Sequence, residues 1–168
     1  MNILVAYATR HGSTREVAEA VVGTLRACGA DVRFQAVRDV RSLAPRFDLV
    51  VLGAPLYSGR WHRDAHRFLR RHRQELDMVP VAVFGVGPRE PDPQAWLRSR
   101  EQLDRALAKH GWLEPAAVTV FGGTDPPKHN RQRRDLRDWT QIEAWASSIA
   151  SRAAWPAAAA GQPARRGA

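Results

Sequence analysis

The stretch Thr9-Arg10-His11-Gly12-Ser13-Thr14 joins an apolar run, Ile3–Ala8, to an amphipathic run that begins near Arg15. The joint contains hydroxyl groups, one glycine and basic side chains, and the first carboxylate of the chain comes only at Glu16. An apolar strand followed by a helix leaves free N–H groups at the helix start, where the helix dipole favours an anion. The stretch therefore predicts a phosphate-binding loop.

A simpler interpretation of this joint needs no ligand. Ser13 and Glu16 have the spacing of a capping box, in which side chains satisfy the first amides of the helix. The joint also lacks the Gly-Lys-Ser/Thr of a nucleotide P-loop and the spaced glycines of a dinucleotide-binding loop. Those two phosphate-binding schemes are therefore disfavoured.

Composition indicates one globular domain of 168 residues, of which 44% are hydrophobic. We assign the domain to residues 1–154 and predict a disordered tail rich in Ala, Pro and Arg over residues 155–168. Cys28 is the only cysteine, which excludes an intrachain disulfide, argues against a cysteine-based metal site and indicates a cytoplasmic protein. Its helical spacing from Leu25 predicts a small core residue. No metal site is predicted.

Apolar runs and amphipathic runs alternate five times along the chain. The predicted strands are 3–8, 31–36, 48–54, 79–87 and 116–121. This alternation predicts an α/β fold with a five-stranded parallel sheet covered by helices on both faces. The second strand alternates polar and apolar residues, as an edge strand does, which gives the order 2-1-3-4-5. The chain reverses between strands one and three, and ligands bind at such a point. Loops 9–14, 55–61 and 87–93 should meet there.

Three segments of the chain resemble the cofactor-binding loops of the flavodoxin-like family. Tyr7–Thr14 resembles its FMN-phosphate loop, Gly53–Gly59 resembles its first ring-binding loop, and Phe84–Gly87 resembles the start of its second. The resemblance spans roughly residues 2–152 and implies a flavodoxin-like three-layer sandwich with FMN as cofactor. It implies that the phosphate and the flavin ring are bound by Thr9, Arg10, His11, Gly12, Ser13, Thr14, Pro55, Leu56, Tyr57, Ser58, Gly59, Gly87 and Pro88, with Tyr57 as the stacking ring.

Within that family the chain resembles the group of menaquinone-dependent protoporphyrinogen dehydrogenases. Arg60-Trp61 and the segment Arg137–Ala150 carry this narrower resemblance, and residues 122–135 are too short to hold the long insertion of that group. It implies an oxidoreductase of haem biosynthesis that passes electrons from a substrate through FMN to a quinone or another acceptor. No acid–base pair stands out, so no catalytic side chain is predicted. The alternative is an electron carrier that docks to an acidic redox partner.

A net charge of +9 at pH 7 suggests anionic partners, and the strongest basic run lies in residues 60–73. A solvated helical face explains this run without a partner. The functional alternative is contact with an anionic membrane surface, which would make the protein peripheral to the membrane. Specific nucleic-acid binding is not predicted, because the run lacks interleaved exposed aromatic residues. A phosphorelay receiver is rejected, since Gly53-Ala54-Pro55 stands where its aspartate is needed.

Overall fold

The computed structural model describes residues 1–44, 46–125 and 134–151. In these segments the five predicted strands follow one another in the predicted order. The strands are β1 (Asn2–Tyr7), β2 (Asp31–Ala36), β3 (Leu49–Tyr57), β4 (Arg60–Trp61), β5 (Val81–Val86) and β6 (Ala117–Phe121). The helices are α1 (Ser13–Ala27), α2 (Arg63–Arg71), α3 (Arg73–Leu76), α4 (Pro93–Ala108) and α5 (Trp139–Ser151). The tail predicted to be disordered lies outside the described residues.

Five of the strands form a parallel sheet in the order β2-β1-β3-β5-β6. This is the predicted order 2-1-3-4-5, because β5 and β6 are the fourth and fifth predicted strands, and β2 is the predicted edge. Apolar side chains of the sheet pack on both faces. One core layer includes Ala65, Phe68 and Leu69 of α2, and the other includes residues of α1 and α5. The three-layer α/β sandwich is confirmed.

The segment predicted as a loop at 55–61 is a β-hairpin. Strand β3 continues to Tyr57, and β4 pairs with it antiparallel through Tyr57 and Arg60. Ser58 and Gly59 form the two-residue turn with φ of 46° and 78°. Two consecutive positive φ angles identify the turn type whose twist matches a hairpin, and glycine allows it at the second position. The predicted ring-binding segment is therefore held by strand pairing.

Two further expectations are wrong. Cys28 is exposed, because it is the C-cap of α1 and the chain turns away there toward Gly29 (φ 84°). The prediction extended the apolar face of α1 from Leu25 to Cys28, but the helix ends at Ala27. The basic run is also not one helix, since α2 ends at Arg71 and α3 restarts at Arg73 around the buried His72.

Candidate functional site

The predicted anion loop lies at the carboxyl end of β1 and enters α1 through an unusual N-cap. Gly12 occupies the N-cap position with φ of 93°, and no described residue caps the helix with its side chain. The Gly12 N–H donates instead to Thr9 Oγ1 at 3.0 Å. The capping box is therefore absent, and the N–H groups of the first helical turn have no intrahelical acceptor. The Gly12 amide, by contrast, is already satisfied within the loop.

Thr14 carries the most informative side chain of the loop. It is completely buried, and its Oγ1 has no hydrogen-bond partner among the described residues. A buried hydroxyl without a partner costs about 1–3 kcal/mol, so such groups are rare in native proteins. A phosphate oxygen at the start of α1 would accept from this hydroxyl and from the free amides. The residues therefore fit a bound phosphate group.

The structure brings the anion loop and the hairpin together. The Ala8 N–H donates to the Gly53 carbonyl at 2.8 Å, which joins the ends of β1 and β3. Beyond these ends the His11 ring lies edge-on to the Tyr57 ring, with 6.1 Å between centroids. Tyr57 is partly exposed, and burial raises the pKa of its phenol although Arg89 and Arg10 act in the opposite direction. An aromatic ring and the predicted phosphate-binding loop thus lie side by side.

The remaining predicted residues lie around this pair. Pro55 and Leu56 are buried in β3, whereas Ser58 and Gly59 are exposed at the hairpin tip. Gly87 and Pro88 follow β5, where the Gly87 N–H donates to Phe121 and the Pro88 carbonyl accepts from Gly123, both at 2.9 Å. These two residues are therefore anchored to the end of β6 at the same edge of the sheet.

Arg137 is a residue of this region to which sequence reasoning assigned no role in the site. Its side chain is 9% exposed and forms ion pairs with Asp135 at 2.5 Å and with Glu16 in the first turn of α1. The guanidinium carbon also lies over the Trp139 ring, 4.8 Å from the ring centroid. The two carboxylates raise the pKa of its guanidinium, with the hydrogen bond to Asp135 as the main cause. By neutralising Glu16, Arg137 keeps the start of α1 favourable for an anion. No local pattern indicates a contact 121 residues apart.

Replacing Arg137 with methionine should therefore destabilise the fold. We expect the free energy of unfolding to fall by about 1–2 kcal/mol, less than for a fully buried pair because both carboxylates are partly exposed. Urea denaturation followed by far-UV circular dichroism measures this. Arg15→Met is the control, since it breaks only the exposed pair between Arg15 and Glu19 and should leave the midpoint unchanged. Equal midpoints for the two variants would contradict the role of Arg137.

The described residues contain neither a helix long and apolar enough to cross a membrane nor a cluster of three or more residues that could bind a metal ion.

Comparison with known proteins agrees with this geometry. A family model described as a flavodoxin domain matches residues 4–136. The chain is 24% identical over 132 residues to a protoporphyrinogen IX dehydrogenase [quinone] of Escherichia coli K12, covering 77% of this chain and 72% of that protein. Among solved structures it is similar to a short-chain flavodoxin associated with a non-canonical PDU bacterial microcompartment (TM-score 0.64, 20% identity, 91% and 99% coverage). It is also similar to oxidised flavodoxin 1 of Bacillus cereus (TM-score 0.60, 16% identity, 90% and 98% coverage). The chain belongs to the flavodoxin domain family.

Proposed function

We propose that this protein binds FMN at the edge formed by residues 9–14, the β3–β4 hairpin and residues 87–88. The observation that carries the proposal is the buried hydroxyl of Thr14 at the start of α1, which has no hydrogen-bond partner in the part of the chain that the structure describes. The N–H groups and hydroxyls of residues 9–14 would hold the phosphate, and Tyr57 would stack on one side of the ring. Once bound, FMN supplies two-electron redox chemistry, and the protein supplies position and electrostatics.

The charge around the proposed ring site favours reduction. Arg10 and Arg89 both lie close enough to Tyr57 to lower the pKa of its phenol against the effect of burial. Positive charge at this distance stabilises negative charge that develops on a neighbouring group. An FMN ring stacked on Tyr57 would therefore be easier to reduce than one surrounded by carboxylates.

We further propose an enzyme that oxidises a substrate of the protoporphyrinogen type and passes the electrons to a quinone. The similarity to the Escherichia coli dehydrogenase supports this substrate class. Two local features support access for a second reactant. Residues 88–93 contain no aromatic side chain that could cover the other face of the ring. A cavity of about 920 Å³ also opens beside them, where it is lined by Pro91, Pro93, Trp96 and Leu97.

Anaerobic mixing of the FMN-loaded protein with protoporphyrinogen tests the enzyme proposal. We expect the flavin absorbance to bleach and then to recover when a water-soluble menaquinone analogue is added. The control is free FMN at the same concentration. Turnover no faster than that of free FMN would contradict the proposed enzyme activity. FMN binding is tested by a separate titration.

The second candidate is an electron carrier that docks to an acidic partner, and the excess of arginine favours it. In that case protoporphyrinogen would leave the flavin oxidised, and reduction by a partner reductase would slow steeply with added salt. A salt-independent rate would count against the carrier.

A further inference from the structure

A basic recess lies on the outer face of the molecule, between α2, α3 and the end of α4. It has a volume of about 740 Å³, and its charged lining consists of Arg63, Arg67, Arg70, Arg73 and Lys109. Among the residues that the structure describes, two histidines and a tryptophan complete the lining, and none of these lining residues carries a carboxylate. None of its residues belongs to the proposed FMN site. The recess therefore needs its own explanation.

The positive charge of the recess is only partly compensated. Arg63 and Arg67 share a single carboxylate, Asp64, at 3.8 and 3.7 Å. The Arg73 guanidinium lies over the Trp112 ring, 5.8 Å from its centroid. Within residues 1–44, 46–125 and 134–151, neither Arg70 nor Lys109 forms an ion pair. Five cations around one shallow cavity repel one another, and a bound anion would relieve that repulsion.

The recess also contains a histidine pair. His66 Nδ1 and His110 Nε2 are 2.8 Å apart, so one ring donates a hydrogen bond to the other, and the rings are stacked with 5.1 Å between centroids. His110 is 5% exposed. Burial, the neighbouring ring, Lys109 and Arg70 lower the pKa of His66 to about 4. Burial is also the main cause that lowers the pKa of His110, with help from Arg70 and Lys109. The pair is therefore neutral at neutral pH.

We propose that this recess binds a soluble ligand that carries a multiply charged phosphate group, gripped by Arg70, Lys109 and the flanking arginines. A guanidinium group can donate two parallel hydrogen bonds to two oxygens of one phosphate, and a lysine adds a compact positive charge. Lipid phosphates have the same chemistry as soluble phosphates, but a flat bilayer contacts convex surfaces rather than recesses. The lining of this recess includes the buried His110, which a bilayer surface would not reach. The shape favours a small ligand that enters the cavity.

Calorimetric titration of the full chain, saturated with FMN, tests this with cyclic trimetaphosphate as the probe. Saturation with FMN keeps the probe out of the flavin site. We expect saturable binding that the double variant Arg70→Gln/Lys109→Gln weakens by about tenfold. The matched control is Arg26→Gln/Arg98→Gln, which removes the same charge on α1 and at the start of α4. It should bind as the unmodified protein does.

The pH dependence provides a second, independent measurement. A bound anion favours the protonated histidine pair, so binding takes up protons and affinity falls as pH rises. We expect tighter binding at about pH 5 than at about pH 8, a range over which the charge of trimetaphosphate is constant. His66→Gln should keep the affinity measured at about pH 8 and reduce the increase toward about pH 5, because only His110 of the pair remains to take up a proton.

Three results would overturn the proposal. The first is the absence of saturable binding by the unmodified protein. The second is an equal loss of affinity in the two double variants, which would indicate a general effect of net charge. The third is binding to phosphatidylglycerol vesicles without binding of the soluble probe, which would assign the basic face to a membrane surface.

Discussion

Replacing Thr14 with valine should weaken FMN binding by about tenfold to a hundredfold without destabilising the empty protein. Valine keeps the shape of threonine and removes the buried hydroxyl that has no partner in the described structure. A hydrogen bond from this hydroxyl to a phosphate is worth about 1.5–3 kcal/mol, which is about one to two powers of ten in affinity. In the FMN-free protein, burial of the same hydroxyl carries a desolvation penalty that no hydrogen bond offsets. The thermal stability of Thr14→Val should therefore equal or exceed that of the unmodified protein.

The opposite signs of these two effects make the prediction specific. A residue with only a packing role would change stability and affinity in the same direction. Thr24→Val is the matched control, because Thr24 lies on the same helix and its hydroxyl already donates to the Ala20 carbonyl at 3.2 Å. Fluorescence titration gives the affinity and a thermal melt gives the stability. An unchanged FMN affinity in Thr14→Val would remove Thr14 from the site.

Replacing Gly53 with alanine should lower the free energy of unfolding by about 3 kcal/mol. Gly53 lies in the central strand β3, where an added Cβ would lie 2.0 Å from Cζ of the fully buried Phe84. The Phe84 ring packs against Phe121 and Trp145, with 5.6 and 5.9 Å between centroids. It therefore has no free space to move into. Urea denaturation measures the loss.

The chain offers a control of opposite sign. Gly23 lies inside α1 with nothing within 4 Å of an added Cβ. Gly23→Ala should raise the free energy of unfolding by about 1 kcal/mol, because alanine favours the helix more than glycine does. A Gly53→Ala protein as stable as the unmodified chain would show that the packing between β3 and Phe84 is looser than described.

Much of the fold could be predicted because its signals are local. Strands such as Leu49–Leu52 are continuous apolar runs, α1 has a clear apolar face, and turn residues separate them. The sheet order followed from the polar face of β2. The hairpin was missed because Pro55 and the Ser58-Gly59 pair are typical of a loop. Only pairing with Arg60-Trp61 shows that Tyr57 ends a strand.

The candidate site was only partly predictable for a different reason. The sequence predicts an anion-binding loop over residues 9–14, but it could not distinguish a capping box from free helix amides. That distinction comes from the positive φ of Gly12 and from the Thr14 hydroxyl, which has no hydrogen-bond partner within residues 1–44, 46–125 and 134–151. Arg137, the recess around His66 and His110, and the approach of His11 to Tyr57 depend on contacts between distant segments. No periodicity in one sequence reports such contacts.

We propose that one edge of the sheet holds both the phosphate end and the ring end of FMN. A paired titration with FMN and with riboflavin, which lacks the phosphate, tests it most directly through quenching of flavin fluorescence. The titration uses the Arg70→Gln/Lys109→Gln protein, so that the basic recess does not contribute. We expect quenching by the protein and at least about tenfold tighter binding of FMN. Equal affinities for the two flavins, or no quenching of FMN, would contradict it.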